Sequence, residues 1–412
     1  MIDNFKEMIA GSLGLKEPWY IKGAEFSPEK KEVHIYVGVR EGAVFVCPSC
    51  GHEAVRDGYE PTERVWRHGD CLFYPSYVHC KRPRVRCPHC GTVQVSAPFE
   101  RKNSRFTLLF EGYAMLILAD MPRAKAAQIL RCNEKSLASI LTYWVNEAVD
   151  QQDLTNVVRL AVDETSQRRG HNYVTVFIDA DQRRVVDVEP GREKSVISAF
   201  ADKLEDHGGS REAVSAVTSD MSTSYLPGIA ETFPNALNVI DKFHVKQVLT
   251  NALDAVRKEE QKSSEAKKAL FNGRRLFMIP KERMTKQQAD SLSALSKQYP
   301  KTGRAYRIVA ALDDLYACQT IEEARISFDA LYSWMRRCRL EPMKEAASTL
   351  LNHKDKILAY FLHRITNAVC EGINSMIQAA KRKARGYNTY EGFAAMIYLI
   401  AGKLKLAVPS PF

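Results

Sequence analysis

Three short apolar runs near the middle of the chain each stop on an aspartate, and this repetition constrains the fold more than any other feature. Residues 157–162 (Val-Val-Arg-Leu-Ala-Val) lead into Asp163, residues 214–219 (Val-Ser-Ala-Val-Thr-Ser) into Asp220, and residues 236–240 (Ala-Leu-Asn-Val-Ile) into Asp241. β-Branched and aliphatic residues over strand length read as buried strands. A carboxylate at the end of a buried strand is costly to desolvate unless a cation meets it, and a divalent metal is one such partner. The other reading is a solvated acid that opens a turn, and for the Asp163 run alone it is the stronger one.

Later acids change that balance. Glu371 lies in residues 365–378, whose apolar members Ala368, Val369, Ile373, Met376 and Ile377 recur at helical spacing. Two strand-end aspartates and one helical glutamate can gather two hard cations and leave positions for water and phosphate. Asn374, Ser375, Gln378 and Arg382 follow Glu371 at offsets that keep them near its face. Residues 173–179 and 184–189 read as a hairpin after the first strand, and residues 194–204 as an amphipathic crossover helix. The predicted order is β-β-β-α-β-α-β.

Asp, Asp and Glu on strand, strand and helix resemble the RNase H-like DDE transposases. The local wording is similar to the ISL3 group of bacterial insertion-sequence transposases: Ser219-Asp220-Met221, Tyr225, Pro234-Asn235-Ala236, Asp241-Lys242-Phe243-His244-Val245, Cys370-Glu371-Gly372-Ile373-Asn374 and Ala384-Arg385-Gly386-Tyr387. The resemblance implies a multidomain α/β chain with an RNase H-like mixed sheet, in which the first and fourth strands are neighbours and bring Asp163 and Asp220 together. It implies two Mg²⁺ ions, with Mn²⁺ able to substitute, held by Asp163, Asp220 and Glu371 as the catalytic set. Asp241 and His244 stand beside that site in a supporting or DNA-contacting role.

Upstream, Cys47-Pro-Ser-Cys50-Gly51 and Cys87-Pro-His-Cys90-Gly91 are two copies of one knuckle. A repeated Cys-x₂-Cys is a strong signal for one tetrahedral, structural Zn²⁺, and four thiolates leave it no open position for catalysis. Cys71, Cys80, His68, His79 and His89 are weaker alternatives as ligands. The gap between knuckles, 87 minus 50 or 37 residues, requires a hairpin excursion. Lys81, Arg82, Arg84 and Arg86 precede the second knuckle, and Arg101, Lys102 and Arg105 follow it, as a cluster suited to phosphates.

Phe106, Leu109, Phe110, Tyr113, Leu116 and Ile117 predict the buried stripe of a helix. Pro122 can open a second, and Asn133 caps a third from Glu134 to Val149. The order resembles a helix-turn-helix, with Lys135, Ser136 and Ser139 facing a DNA groove. Lys381, Arg382 and Arg385 supply further DNA contacts. Residues 390–406 read as a last apolar packing helix.

The domains expected are a zinc-binding domain at 1–100, a helix-turn-helix at 101–150, a catalytic core at 151–245 and 351–412, and a helical insertion at 246–350. The 59 Lys and Arg exceed the 49 Asp and Glu by ten, which favours a polyanionic partner. No apolar run reaches membrane-spanning length and no signal peptide is visible, so a cytoplasmic, nucleoid-associated bacterial protein is expected. The expected activity is binding of insertion-sequence ends, metal-dependent strand cleavage and strand transfer into target DNA, by a homodimer or higher oligomer. The alternatives are a zinc-containing DNA regulator with an inert nuclease fold, and an RNase H-like nuclease without strand transfer.

Overall fold

The computed structural model describes residues 2–168, 172–219, 221, 225–262, 264–279, 283–364 and 368–409. The chain divides into two compact units, one of residues 1–150 with 380–400 and 404–412, the other of 151–379 with 401–403.

The first unit opens with a helix α1 (Ile2–Ser12) and eight strands: β1 (Trp19–Ser27), β2 (Glu32–Val39), β3 (Val44–Val46), β4 (Glu53–Tyr59), β5 (Arg64–Cys71), β6 (Tyr74–Cys80), β7 (Pro83–Cys87) and β8 (Gly91–Gln94). They form two four-stranded sheets, β1-β2-β6-β5 and β3-β4-β7-β8. In the first sheet, alternation sends Val33, Ile35 and Val37 of β2 inward against Trp66, Val78 and Phe99. The hairpin β5–β6 is the excursion that the gap between knuckles requires. Neither α1 nor β1 was signalled by the apolar pattern.

Three helices follow, α2 (Leu108–Asp120), α3 (Arg123–Leu130) and α4 (Glu134–Asp150). Asn133 caps α4 as expected, its side-chain oxygen accepting the Lys135 N–H at 2.7 Å. The face of α2 differs from the expected stripe. Phe110, Ala114, Met115 and Leu118 are buried while Tyr113 and Leu116 are exposed. The cause is polar: Glu111, fully buried, accepts from Arg101 Nε at 2.8 Å, Arg101 Nη2 at 2.9 Å and Trp144 Nε1 at 2.7 Å, and so fixes the helix rotation.

The second unit carries a five-stranded sheet from β9 (Arg159–Arg168), β10 (Asn172–Asp179), β11 (Arg184–Pro190), β12 (Ala216–Ser219) and β13 (Leu237–Ile240), with helices α5 (Lys194–Asp206) and α6 (Tyr225–Thr232) between the later strands. The order is β11-β10-β9-β12-β13, with β12 parallel to both neighbours and β10 antiparallel to both of its own. This is the RNase H-like mixed sheet expected from the order of elements. Val196, Ile197, Phe200 and Leu204 of α5 cover one face, with Phe200 stacked on Phe177 of β10 at 4.2 Å between ring centroids.

One expectation about β9 is corrected. The strand does not end at Asp163 but runs on to Arg168, because β10 pairs with it from Leu160 as far as Arg168. Its parallel pairing with β12, by contrast, stops at Ala161 opposite Thr218. Asp163 is therefore a mid-strand residue placed just beyond the end of that shorter ladder.

After β13 the second unit is helical: α7 (Lys242–Glu260), α8 (Ser264–Asn272), a 3₁₀ segment Gly273–Met278, α9 (Lys286–Gln298), α10 (Pro300–Ala317), α11 (Ile321–Arg337), α12 (Glu341–Asn352), α13 (Lys354–Leu358) and α14 (Tyr360–His363). Its sequence is rich in charge, yet it builds a large core of its own from residues such as Leu253, Leu312, Phe328, Met335 and Met343. α15 (Ala368–Ala384) and α16 (Tyr390–Ala401) finish the chain. α16 stops at Ala401 rather than continuing to 406, since Gly402 follows it and Lys403 takes φ +51°.

Candidate functional site

The strand β9 presents Asp163 toward the first two turns of α15. Asp163 Oδ1 accepts the Glu164 N–H at 2.7 Å, and Oδ2 accepts the side-chain amide of Asn374. One turn further, Gln378 Nε2 donates to Thr165 Oγ1 at 2.8 Å. Residues 371, 374 and 378 fall on one face of a helix, so the face docked on β9 is the one that carries Glu371. An adjoining apolar face buries Cys370, Ile373 and Ile377, while Met376 stays exposed. Burial, and after it the charges of Asp163, Asp241 and Glu371, push the Cys370 thiol well up.

Asp220 lies outside the described residues; β12 is described up to Ser219, the residue before it. Asp241 follows β13 directly, is buried, and stands at the N-cap of α7. Its carbonyl accepts the N–H groups of His244 (3.1 Å) and Val245 (3.2 Å). His244 is half-buried in the first turn of α7, its ring edge-on to Phe243 at 5.7 Å.

Donor chemistry at β9 and α15 suits a hard cation. Asn374 Oδ1 is buried without a hydrogen-bond partner among the described residues, although its amide nitrogen is engaged by Asp163. An orphaned amide oxygen on the residue that holds Asp163 adds an acceptor next to that carboxylate, while the Glu371 side chain is exposed.

The knuckles form the second cluster. Sγ atoms of Cys47, Cys50, Cys87 and Cys90 all lie within 4.8 Å of one another, and those of Cys50 and Cys87 are 3.4 Å apart. Each knuckle is the turn of a hairpin, β3–β4 or β7–β8, in the same sheet. Gly51 and Gly91 turn the chain with φ of +75° and +74°, a conformation in which a Cβ would be strained. Backbone N–H of Ser49 lowers the Cys47 thiol to about 7, while the hydrogen bond with Cys50 pushes Cys90 up to about 12. Four thiols this close cannot all ionise unless a cation shares their charge, and tetrahedral S₄ coordination meets that need. Cys71, Cys80, His68, His79 and His89 do not join the cluster: His68, for example, is buried between Thr107 Oγ1 at 2.8 Å and Ser12 Oγ at 3.3 Å.

The basic residues divide. Arg82 is committed to Glu60 at 3.0 Å and Glu100 at 3.4 Å inside the first unit, and Arg101 to Glu111. Arg84 and Arg86 alternate outward on β7, Arg86 with Asp57 at 3.0 Å. Lys135 and Ser139 are exposed near the start of α4, with Ser136 half-buried between them. Lys381 and Arg382 lie in the last turns of α15, and Arg385 follows its end with φ +57°. Glu111 and Asn374 are the polar residues whose contacts were least visible beforehand, the first in a largely apolar helix, the second present in the Cys370–Asn374 motif and near the Glu371 face with no partner indicated. No helix among the described residues is long and apolar enough to cross a membrane.

Comparison with known proteins places the chain in a family. A family model described as "Transposase" matches residues 160–397, and one described as "Helix-turn-helix domain of transposase family ISL3" matches residues 95–145. The transposase for insertion sequence element IS1557 of Mycobacterium tuberculosis is 25% identical over 94% of this chain and 93% of its own length. That for IS1001 of Bordetella parapertussis is 26% identical over 85% of this chain and 87% of its own length. The chain belongs to the ISL3 family of DDE transposases.

Proposed function

We propose that the protein binds the terminal inverted repeats of its insertion sequence and performs metal-dependent strand cleavage and strand transfer, with Asp163, Asp220 and Glu371 as one catalytic unit. The observation that carries this reading is the docking of α15 on β9, where Asn374 holds Asp163 and brings Glu371 on the same helical face. Asp220 enters from its covalent place directly after Ser219, at the end of the strand parallel to β9. Two Mg²⁺ ions, with Mn²⁺ as substitute, would supply an activated water or 3′-hydroxyl and stabilise the leaving oxygen. The chain's own residues then hold and orient: Asn374 fixes the Asp163 carboxylate, Gln378 fixes Thr165 beside it, and Asp241 and His244 support the site from β13 and α7.

The knuckle thiolates hold one structural Zn²⁺ in a domain of residues 1–100, and residues 101–150 read DNA through Lys135, Ser136 and Ser139. Arg84 and Arg86, with Lys381, Arg382 and Arg385, meet phosphates. The catalytic core comprises 151–245 and 351–412, interrupted by the helical insertion 246–350, and the working form on DNA in the bacterial nucleoid is a dimer or larger.

The test compares Glu371→Gln with Glu345→Gln, another helical acid of the second unit. In Mg²⁺-dependent end cleavage, Glu371→Gln should fall by a factor of at least about 10³, as expected when one member of a cooperating set is removed, while end binding persists. Glu345→Gln should cut normally. The reverse result sinks the assignment of the third ligand.

A further inference from the structure

The hairpin β5–β6 turns in only two residues: Cys71 pairs with Tyr74, and Leu72 and Phe73 lie between them. Both have positive φ, +49° and +70°. That backbone is the one of a type I′ turn, for which Asn-Gly is the favoured pair because a Cβ is penalised in the left-handed region. Leu and Phe are poor choices there, and burial does not compensate them. Leu72 is 80% exposed and Phe73 88%, the two highest values for a large hydrophobic side chain among the described residues. Strain retained at an exposed apolar tip points to a use for that tip.

Its position says what the use is. Arg131 Nη2 donates to the Phe73 carbonyl at 2.8 Å and pairs with Asp70 at 3.0 Å, and Asp70 is also held by Arg67. Arg131 is the first residue of the turn between α3 and α4, and α4 begins three residues later with Lys135 and Ser139 exposed. In a helix-turn-helix the N-terminal end of the second helix meets base edges. A duplex seated there has the hairpin tip as its neighbour. The large apolar surfaces of a duplex are the stacked base faces, and projecting Phe and Leu side chains reach them by parting a base step.

Resting on the reading of α2 to α4 as the end-binding element, we propose that Leu72 and Phe73 form an apolar wedge. The wedge enters a base step of the end DNA beside the site read by α4. It would mark and kink a fixed position of the end, adding a sequence-tolerant contact to the groove readout.

The experiment uses the full chain and duplexes taken from the DNA flanking its reading frame, with 2-aminopurine placed at successive positions. Wild-type protein should raise fluorescence at one step, as the base there unstacks. The Leu72→Asn, Phe73→Gly double variant should abolish that rise and weaken binding about tenfold, the loss expected when one stacking side chain is removed. Its thermal midpoint should stay level or rise, because Asn-Gly relaxes the turn. Phe73→Trp should keep the signal. Binding and fluorescence unchanged in the double variant would overturn the wedge. So would a variant that loses self-association without DNA while binding ends normally, which would assign the tip to a second copy of the chain. Failure of the wild type to bind either flank would instead remove the end-binding reading on which the wedge rests.

Discussion

His68 shows how much a single buried side chain sets the pH behaviour of the first unit. Burial, and then the Arg67 guanidinium, lower its pKa to about 4, so the folded chain holds it neutral between Thr107 and Ser12. The unfolded chain takes up that proton near pH 6.5. Stability from this group is therefore fully present above about pH 6.5 and is lost as the pH falls toward 4. Between pH 7 and pH 5 the loss should be about 2 kcal/mol. The unfolding free energy of the wild type, read from urea titrations at the two pH values, should drop by that amount more than that of His68→Gln, and equal drops would refute the account. Glu111 was equally hidden in the sequence. α2 is apolar on every side, so periodicity could not choose its buried face, and the choice fell to one acid with partners ten and thirty-three residues away. Asp163 was visible as a residue and misread in its setting, because a run of aliphatic residues shows where a strand begins to be buried but not how far its antiparallel neighbour extends it.

At the scale of elements, the knuckle sheet is the one most dependent on something besides its own core. β3 has three residues and β8 four, lengths that hold little apolar surface, and the β3–β4 and β7–β8 hairpins, paired through β4 and β7, also meet at the four cysteines. Metal analysis should give about one zinc per chain, and a Cys47→Ser, Cys50→Ser variant should lose it. Chelation should then speed hydrogen exchange in β3, β4, β7 and β8 while leaving β9 to β13 protected. Protection of the knuckle sheet unchanged after complete metal removal would show that the thiols carry no structural load. The duplicated motif made the thiol cluster legible but not the strands around it, whereas β9 to β13 were announced by the hairpin and crossover pattern. α1 and β1 were not, since each has a mixed composition whose partners come from β2 and from residues 97 and 99. The tip of β5–β6 was also missed, because nothing in Cys-Leu-Phe-Tyr announces a turn that ordinarily asks for Asn-Gly.

For the molecule as a whole, the two units share the later part of the sequence. Residues 380–400 belong with 1–150: Lys383 Nζ donates to the Asp120 carbonyl at 3.3 Å, and Phe393 and Ile397 of α16 are fully buried. A chain stopped after residue 379 should show α2 to α4 exchanging amide hydrogens faster than in the full chain, with weaker end binding; unchanged exchange would show that 1–150 stands alone. The same arrangement has a meaning in time. Asn374 reaches back 211 residues to Asp163, and at roughly 5–20 residues per second a ribosome needs roughly 10–40 s to cross that interval. Throughout it, the nascent protein has the strand that bears Asp163 and lacks the helix that bears Glu371, and its first unit waits for residues made later still. A chain abandoned within that interval therefore lacks the Asn374–Asp163 contact, a complete α15 and all of α16.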